Sequence, residues 1–371
     1  MNSYFLIVGE ASGDVHAAEL IQQIQQRDPK ARFAGLGGDQ MQAAGCHLYR
    51  HIRHMAFMGF AAVLANLKEV RRNFQIAHEA LLHEQPEVLI LIDYPSFNLQ
   101  MASFCRKHLP QTRIIYYIPP KVWAWKKFRV HRIASLCDQV LGIFPFEPAF
   151  YARYGYRCTY VGHPTVEQID RFVKNQSPTN IQRKKTIAIL PGSRPSEIKN
   201  CLPKMLEAAR RFPEYNIAVC AAPGIEDAFY APLLHTTETL TRDTYKVLQT
   251  SAAAIVNSGT ATLETALIGC PQVAVYHVAL SGLVALNKWW LIPLFFSVPY
   301  FTPVNIITGK ELIKECMADD FTVEKVAREV QRLLTDEQYQ KEVQVNYRHL
   351  FSLLGSQSAS ATAADIITSK Q

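Results

Sequence analysis

The 371-residue sequence lacks the cysteine, acidic and glycine patterns that identify several common kinds of site. Its eight cysteines form no Cys-x-x-Cys pair and show no zinc-type spacing with histidine, which favours reduced thiols. It contains no Asp-x-Asp, so no ligand pair is evident for a Mg²⁺ ion bridging a diphosphate. Neither half carries Gly-x-Gly-x-x-Gly after a strand, which argues against a dinucleotide-dependent oxidoreductase.

A signal peptide and an uninterrupted membrane span are also missing. Residues 1–14 run straight into a strand-like apolar segment without a basic region or a small-residue cleavage site, so we expect a cytoplasmic protein. The most apolar stretch, 280–301, is long enough to span a bilayer, but Lys288 lies within it and Pro293 and Pro299 would break a helix. We interpret this stretch as interfacial, with aromatic residues that suit either a membrane surface or a core.

Composition indicates an ordered protein of more than one domain. The length exceeds the roughly 250–300 residues at which single hydrophobic cores stop growing, and 49% of the residues are hydrophobic. Thirty-nine Lys and Arg against 32 Asp and Glu give a net charge of +7. This excess suits an anionic partner such as a phosphate, a nucleotide or an acidic lipid, and it is too small to indicate nucleic acid.

Short apolar runs alternate with segments of helical period along both halves of the chain. The pattern predicts an α/β protein with two doubly wound, Rossmann-like domains, each built on a parallel sheet. We place the first domain at 1–165, the second at 166–346, and a C-terminal helix at 347–371 that packs back or is exchanged with a partner. The predicted strands lie in the segments 3–9, 31–38, 87–93, 112–118, 139–144, 158–162, 185–192, 215–222, 252–259 and 271–277.

Two loops of the first domain are candidates for the active site, because ligands of such sheets lie beyond the carboxyl ends of the strands. Glu10, Ser12, Gly13 and Asp14 follow the first predicted strand, where small side chains and a helix N-terminus favour a negatively charged ligand. Asp93 ends an apolar strand, where burial would raise its pKa and make it a proton acceptor for a sugar hydroxyl. In both loops the alternative is a helix cap.

Three segments of the second domain suit a nucleotide diphosphate. An arginine presents a fixed fork to phosphate oxygens, the N–H groups that open a helix bind anions, and a glutamate about one turn later accepts bonds from ribose hydroxyls. An asparagine in a turn either closes the same pocket or is structural. These candidates are Gly192, Ser193 and Arg194, then Ser258, Gly259, Thr260 and Glu264, and finally Asn305.

Two further stretches carry apolar or basic side chains at helical spacing. Residues 58–74 place an apolar stripe beside basic residues, a pattern typical of a lipid surface and also of a core-facing helix. The candidates for lipid contact are Phe60, Val63, Leu64, Leu67, Lys68, Arg71 and Arg72. His47, His51 and His54 would share one face of a helix, but the arginines between them favour a basic surface over a metal site.

Together these motifs resemble those of the lipid-A-disaccharide synthases, inverting glycosyltransferases of the GT-B fold. The resemblance covers nearly the whole chain, and GEASGD and VWAW are its most specific parts. The matching segments are GEASGD at 9–14, MAFMGF at 55–60, IDYPSFN at 92–98, PPKVWAWKKFRV at 119–130, FPFEPAFY at 144–151, VGHP at 161–164, LPGSR at 190–194, SGTATLE at 258–264 and NIITGKEL at 305–312. The sequence departs from the pattern in the aromatic part of 280–301 and in 47–54, which leaves the lipid contacts open.

The resemblance implies two domains that face a cleft, and a reaction in lipopolysaccharide synthesis. UDP-2,3-diacylglucosamine and 2,3-diacylglucosamine 1-phosphate would be joined through a β-1,6 linkage with release of UDP. Asp93 would be the general base, Arg194 and Glu264 nucleotide ligands, and 9–14 part of the cleft. No cofactor or bound metal is implied, and the enzyme would be peripheral at the inner face of the cytoplasmic membrane. Expected partners are both substrates and a membrane lipid surface, without nucleic acid, and a homodimer is an open alternative to a monomer.

Four other activities remain open on the residues alone. A transferase for undecaprenyl-linked precursors would carry a glycine-rich, GGTGGH-type first loop where this chain has GEASGD. A UDP-sugar 2-epimerase would need no lipid surface, and a dinucleotide-dependent oxidoreductase would bind NAD(H). A non-catalytic nucleotide-binding module is distinguished from the others only by turnover.

Overall fold

The chain folds into two compact units, each built on one parallel sheet. The computed structural model describes residues 2–55, 67–124, 127–175, 183–277 and 299–369. The units are Met1–Pro164 with Gln357–Gln371, and Thr165–Ser356. Helices alternate with the strands in both units, so the predicted α/β class with two doubly wound sheets is confirmed.

The first unit contains a seven-stranded sheet. Its strands are β1 Ser3–Ile7, β2 Arg32–Gly37, β3 His47–His51, β4 Val88–Ile92, β5 Arg113–Tyr117, β6 Gln139–Gly142 and β7 Thr159–Tyr160. The helices between them are α1 Ala11–Arg27, α2 Asp39–Ala43, α3 Leu67–Glu84, α4 Pro95–His108, α5 Arg129–Leu136 and α6 Glu147–Ala152, with a 3₁₀ turn at Ile52–His54. The strand order is β3-β2-β1-β4-β5-β6-β7.

The middle strands of this sheet are apolar on both faces because helices cover both. Every residue of β4 is buried, and Phe5 of β1 pairs with Ala34 on one side and with Leu89 on the other. A continuous core joins these strands to α3 and α4 through residues such as Leu81 and Phe97. Near-continuous apolar strands are typical of parallel sheets, which explains why these segments were recognisable in the sequence.

The second unit contains a six-stranded sheet. Its strands are β8 Lys184–Leu190, β9 Asn216–Cys220, β10 Thr239–Thr241, β11 Ser251–Asn257, β12 Gln272–Tyr276 and β13 Lys314–Met317, in the order β10-β9-β8-β11-β12-β13. The helices are α7 Pro164–Lys174, α8 Pro195–Ala209, α9 Thr244–Thr250, α10 Thr260–Ile268, α11 Pro303–Thr308, α12 Val323–Thr335 and α13 Glu337–Leu354, with 3₁₀ turns at Asp227–Phe229, Ala231–Leu233 and Ala318–Asp320. The last helix of the chain is α14 Ala359–Thr368.

Both sheets reverse their direction of winding beside the first strand of the unit. β1 lies between β2 and β4, and β8 lies between β9 and β11. At such a crossover two loops leave the carboxyl edge of the sheet in opposite directions and open a crevice for a ligand. The loop before α1 and Asp93 lie at the first crossover, and Gly192–Arg194 and Ser258–Thr260 lie at the second.

The histidine-rich segment is a strand, so a helix through His47, His51 and His54 is wrong. β3 pairs in parallel with β2, and this pairing overrides the helical spacing of the histidines. His51 Nε2 lies 3.2 Å from the Asp39 carboxylate, to which Arg53 also donates. Within the described ranges no group of three or more His, Cys, Asp or Glu side chains is placed to hold a metal ion.

The predicted helix at 347–371 is instead two helices. Gly355 follows α13 with φ 68°, a left-handed conformation that favours glycine, and the Ser358 side chain then accepts the Ala361 N–H to cap α14. α14 packs against α1 in the first unit, where Arg27 forms an ion pair with Asp365. The end of the chain therefore returns to the unit in which the chain begins.

Part of the predicted lipid surface lies outside the described residues. This applies to Phe60, Val63 and Leu64 and to residues 280–298 of the aromatic stretch. Of the helices that the structure describes, none is long and apolar enough to cross a membrane.

Candidate active site

Asp93 lies on a backbone elbow between β4 and α4. Asp93 and Tyr94 both have φ 46°, a left-handed conformation that costs of order 1–3 kcal/mol for a non-glycine residue. The Asp93 N–H donates to the Ile118 carbonyl at 3.2 Å, and the Asp93 carbonyl accepts bonds from Asn98 Nδ2 at 2.7 Å and the Tyr116 hydroxyl at 2.6 Å. These bonds hold the strained backbone, while the Asp93 residue itself is exposed.

The surroundings of Asp93 favour its protonated form. Crowding by neighbouring atoms desolvates the carboxylate and raises its pKa, although the residue is exposed overall. The charge of Lys121, the Tyr94 N–H and His16 act in the opposite direction and offset part of this rise. A carboxylate with a raised pKa is a better proton acceptor, and the role of Asp93 as a base stays a prediction.

The loop 9–14 contacts this elbow through Gly9. A Cβ atom on Gly9 would lie 2.2 Å from Tyr94 Cγ, so only glycine fits there. Gly13 is buried in the first turn of α1, and Ser12 beside it is exposed. Glu10 precedes α1, and its charge contributes to the raised pKa of Tyr94.

Asp14 supports the neighbouring loop from inside the first unit. Its side chain is buried and accepts the backbone N–H groups of Gly38 at 2.7 Å, Gln40 at 2.9 Å and Met41 at 3.1 Å. Gln40 and Met41 lie in the first turn of α2 and Gly38 directly precedes it, so the carboxylate caps that helix across 24 residues or more of sequence. Asp14 is therefore a helix cap, as in the alternative interpretation of this loop. The helix that it caps is α2, and not α1, on which Asp14 lies.

Glu147 and His163 are buried polar groups near the same edge of the sheet, and sequence analysis gave them no role. Glu147 accepts the Phe144 N–H at 3.0 Å and Trp123 Nε1–H at 3.1 Å, and burial raises its pKa to about 7. His163 packs edge-on against Phe144, with ring centroids 5.3 Å apart, and burial lowers its pKa to about 3, aided by the charge of Lys121. The sequence feature that could have revealed Glu147 is its position as a charged residue inside the aromatic segment 144–151.

The first donor candidate in the second unit is the turn between β8 and α8. Glu197 Oε2 accepts the N–H groups of Ser193 at 3.0 Å and Arg194 at 3.3 Å, and its other oxygen lies 3.2 Å from Arg194 Nη1. The Arg194 side chain is 59% exposed. Glu197 therefore shapes the turn from one side and leaves the guanidinium accessible to an anion. A Cβ atom on Gly192 would lie 2.8 Å from the Asn257 amide, so the turn abuts the end of β11.

The second donor candidate is the start of α10. Ser258 is held by its N–H, which donates to the Val275 carbonyl at 2.8 Å, and Thr260 is the exposed first residue of the helix. The Thr262 hydroxyl bonds back to the Gly259 carbonyl at 2.7 Å and rigidifies this turn. The first N–H groups of a helix lack intrahelical acceptors, so this end suits a phosphate oxygen.

Glu264 lies one turn into α10 beside Tyr245, a residue that sequence analysis missed. The Tyr245 hydroxyl lies 3.3 Å from Glu264 Oε1, and Phe172 packs edge-on against the Tyr245 ring at 5.3 Å. Burial raises the pKa of Glu264, and the hydrogen bond from Tyr245 opposes this rise. The tyrosine therefore orients the carboxylate that we assign to ribose hydroxyls.

Asn305 is fully buried, and internal bonds occupy its amide. Its Nδ2 donates to the Ile313 carbonyl at 2.9 Å and to Glu315 at 2.9 Å, and its Oδ1 accepts the N–H groups of Leu312 at 2.8 Å and Ile313 at 3.1 Å. An amide has two donors and room for two acceptor bonds, so no capacity remains for a ligand. The geometry favours the structural alternative for this residue.

The described part of the predicted lipid surface is exposed at the start of α3. Leu67 is 56% exposed, and Lys68, Arg71 and Arg72 are exposed as well. Further along the helix Phe74 stacks on Phe97, with ring centroids 4.5 Å apart. The helix therefore faces the core over its later turns and solvent near its first.

Solved structures of nucleotide-sugar enzymes share this fold. The UDP-GlcNAc 2-epimerase from Neisseria meningitidis, bound to UDP-GlcNAc, superposes with a TM-score of 0.64 at 9% identity over 98% of this chain and 99% of the epimerase. CalG4, the calicheamicin glycosyltransferase, superposes with a TM-score of 0.60 at 14% identity over 99% of this chain and 97% of its own. The fold is thus that of the GT-B glycosyltransferases and the related epimerases.

Sequence comparison identifies the family. The family model for lipid-A-disaccharide synthetase matches residues 4–368. A lipid-A-disaccharide synthase from Nitrosococcus oceani is 34% identical over 374 residues, which cover 97% of this chain and 94% of the relative. The chain belongs to the lipid-A-disaccharide synthetase family and is a glycosyltransferase of lipid A biosynthesis.

Proposed function

We propose that the chain joins UDP-2,3-diacylglucosamine to 2,3-diacylglucosamine 1-phosphate through a β-1,6 linkage and releases UDP. The family supports this reaction. The assignment of catalytic roles rests on one observation. Asp93 is a carboxylate with a raised pKa, and it lies on a fixed elbow at the β1/β4 crossover.

In this proposal Asp93 is the general base of one inverting displacement. It takes the proton of the acceptor's 6-hydroxyl while that oxygen attacks the anomeric carbon of the donor from the face opposite UDP. The bond from the anomeric carbon to the diphosphate oxygen breaks, and its electron pair leaves with UDP. The left-handed elbow suits this role because it holds the carboxylate without relying on a flexible loop.

The second unit supplies the groups for the nucleotide. Arg194, oriented by Glu197, and the N–H groups that open α10 stabilise the charge that develops on the departing diphosphate. Glu264 accepts hydrogen bonds from the ribose hydroxyls, with Tyr245 fixing its carboxylate. Asp14 and Asn305 are assigned a supporting role, because their side chains bind backbone groups of the protein.

We also propose that the reaction needs no bound metal, because Arg194 and a helix N-terminus supply the positive charge. Purified protein mixed with both substrates in detergent micelles is expected to form disaccharide and UDP at an undiminished rate in EDTA, as measured by mass spectrometry. Activity that EDTA abolishes and Mg²⁺ restores would contradict the metal-free mechanism. Absence of disaccharide, with UDP still bound, would favour the undecaprenyl-transferase or epimerase alternatives.

The exposed start of α3 is proposed to attach the enzyme to the anionic inner face of the cytoplasmic membrane. The Lys68→Glu/Arg72→Glu variant is expected to bind vesicles containing anionic lipid at least about tenfold more weakly than wild type, since each basic residue near such a surface contributes about 1 kcal/mol. Co-sedimentation at increasing lipid concentration measures the change. Lys341→Glu/Arg348→Glu, which reverses two exposed charges on α13, is the matched control. Equal losses in the two variants would show non-specific charge attraction and refute this attachment site.

A further inference from the structure

The segment after β5, which carries Lys121, is hydrogen-bonded to the elbow that carries Asp93. Ile118 has φ 59° and accepts the Asp93 N–H through its carbonyl, so the turns that follow β4 and β5 are hydrogen-bonded to each other. Pro119 and Pro120 come next and fix the backbone dihedral φ at two positions, which leaves little freedom before Lys121. Lys121 is therefore presented on a rigid segment next to the proposed base.

The ammonium group of Lys121 is close to several polar groups and neutralised by none. Lys121 is exposed, its Nζ lies 5.7 Å from the centroid of the Phe144 ring, and within the described ranges it forms no ion pair. Burial raises the pKa values of Asp93 and Glu147 and lowers that of His163; the charge of Lys121 opposes the two rises and adds to the fall. A cation in such a position is available to an anionic ligand at the edge of the sheet where the acceptor is proposed to bind.

His16 is a second polar residue at this edge of the sheet. It lies on the second turn of α1 and is an electrostatic neighbour of both Asp93 and His163, as Lys121 is. Its Nδ1 is buried, lies at ion-pair distance (3.8 Å) from Glu19 Oε2, and makes no hydrogen bond in the described part of the structure. Buried polar atoms are rarely left without a hydrogen bond, so this ring nitrogen indicates a place for a ligand group or water.

We propose that Lys121, assisted by His16, binds the phosphate monoester of the acceptor. The inference rests on the proposed function, in which the acceptor carries a phosphate at one end of its sugar ring and the attacking hydroxyl at the other. A base for the hydroxyl and a cation for the phosphate must then lie on one rigid surface, and the bond from the Asp93 N–H to the Ile118 carbonyl joins the turn of the base to the turn that leads to Lys121. The donor diphosphate has separate partners at Arg194 and α10 in the second unit.

The test compares Lys121→Met with wild type on two ligands, the acceptor and its analogue without the 1-phosphate. For the acceptor, KM is expected to rise about 10- to 100-fold, the scale of a charge-assisted hydrogen bond, while the donor KM and kcat stay within about threefold. The dephosphorylated analogue, measured as a competitive inhibitor, is expected to have the same inhibition constant for both proteins. Lys121→Arg, which keeps the charge, is expected to recover most of the affinity.

The controls separate this inference from the proposed function. Lys107→Met removes an exposed lysine from the last turn of α4, at the other edge of the sheet, and should leave every constant unchanged. If Lys121→Met lowered kcat and left the acceptor KM unchanged, Lys121 would act only through Asp93 and the phosphate site would be refuted. If it weakened both ligands equally, its contact would not be with the phosphate. If wild type formed no disaccharide at all, the proposed function itself would fail.

Discussion

Asp93→Asn is expected to lower kcat at least about a hundredfold, the usual scale for loss of a general base. Asparagine has nearly the shape of aspartate and tolerates the left-handed conformation of this elbow, so the substitution removes the proton acceptor and keeps the backbone. The affinity for UDP should not change, because the nucleotide groups are assigned to the other unit. Product formation under saturating substrates, together with UDP titration, measures both quantities.

The pH dependence of kcat/KM is an independent test of the role of Asp93. A base works in its deprotonated form, so kcat/KM of the wild type should fall as pH decreases through the pKa of Asp93, which lies above the ordinary aspartate range. Asp93→Asn should lose this acidic limb, because asparagine does not titrate. Asp365→Asn changes an exposed carboxylate on α14. This variant is expected to keep both the wild-type kcat and the acidic limb of the pH profile. Near-normal turnover of the Asp93→Asn protein would remove Asp93 from the role of base.

The same raised pKa predicts that this variant loses no stability. Because the folded-state pKa exceeds the unfolded one, the favourable protonated state is lost as pH rises through the folded pKa, and the charged elbow then costs stability. Asp93→Asn should therefore melt at a temperature no lower than wild type at neutral pH. This result would also show that its loss of activity does not arise from unfolding.

The sheets were predictable because their strands are buried on both faces. All five residues of β4 and the last four residues of β8 are apolar and buried, which is the pattern that the sequence showed. The edge strands β3, β10 and β13 were not predicted, since β10 has only three residues, the other two have charged residues, and all three pair on one side only. Their formation depends on pairing with a neighbour distant in sequence, which local pattern does not reveal.

Loop positions were predictable to a similar degree, while side-chain partners were not. The positions of the loop 9–14, of Asp93 and of the segments 192–194 and 258–264 follow from strand ends alone, and each crossover brings two of them to one place. Whether a polar residue faces a ligand or caps a distant helix depends on contacts across the fold. Asp14 bonds to α2, and Asn305 bonds to the strand-entry residues Leu312 and Ile313. Lys121 was inside a recognised motif, but its position beside Asp93 required the bond between two turns.

Arg194 is the residue of the second unit whose loss should cost the most activity. Its guanidinium is the accessible cation at the β8 crossover, and the departing diphosphate gains charge as the glycosidic bond breaks. Removal of one preorganised donor to a developing charge costs about 100- to 1,000-fold in kcat, so Arg194→Ala is expected to fall in this range. UDP affinity should fall as well, because the diphosphate product carries charge.

Two matched variants test how Arg194 acts. Arg194→Lys should recover only part of the rate, since lysine keeps the charge and loses the planar fork that holds two phosphate oxygens. Arg211→Ala removes an exposed arginine that pairs with Glu324 beyond the end of α8, and it should change neither kcat nor UDP affinity. Steady-state kinetics and UDP titration of Arg194→Ala, Arg194→Lys and Arg211→Ala measure these effects. If Arg194→Ala kept turnover within about threefold, the N–H groups that open α10 would have to stabilise the leaving group without it, and the assignment of Arg194 would be wrong.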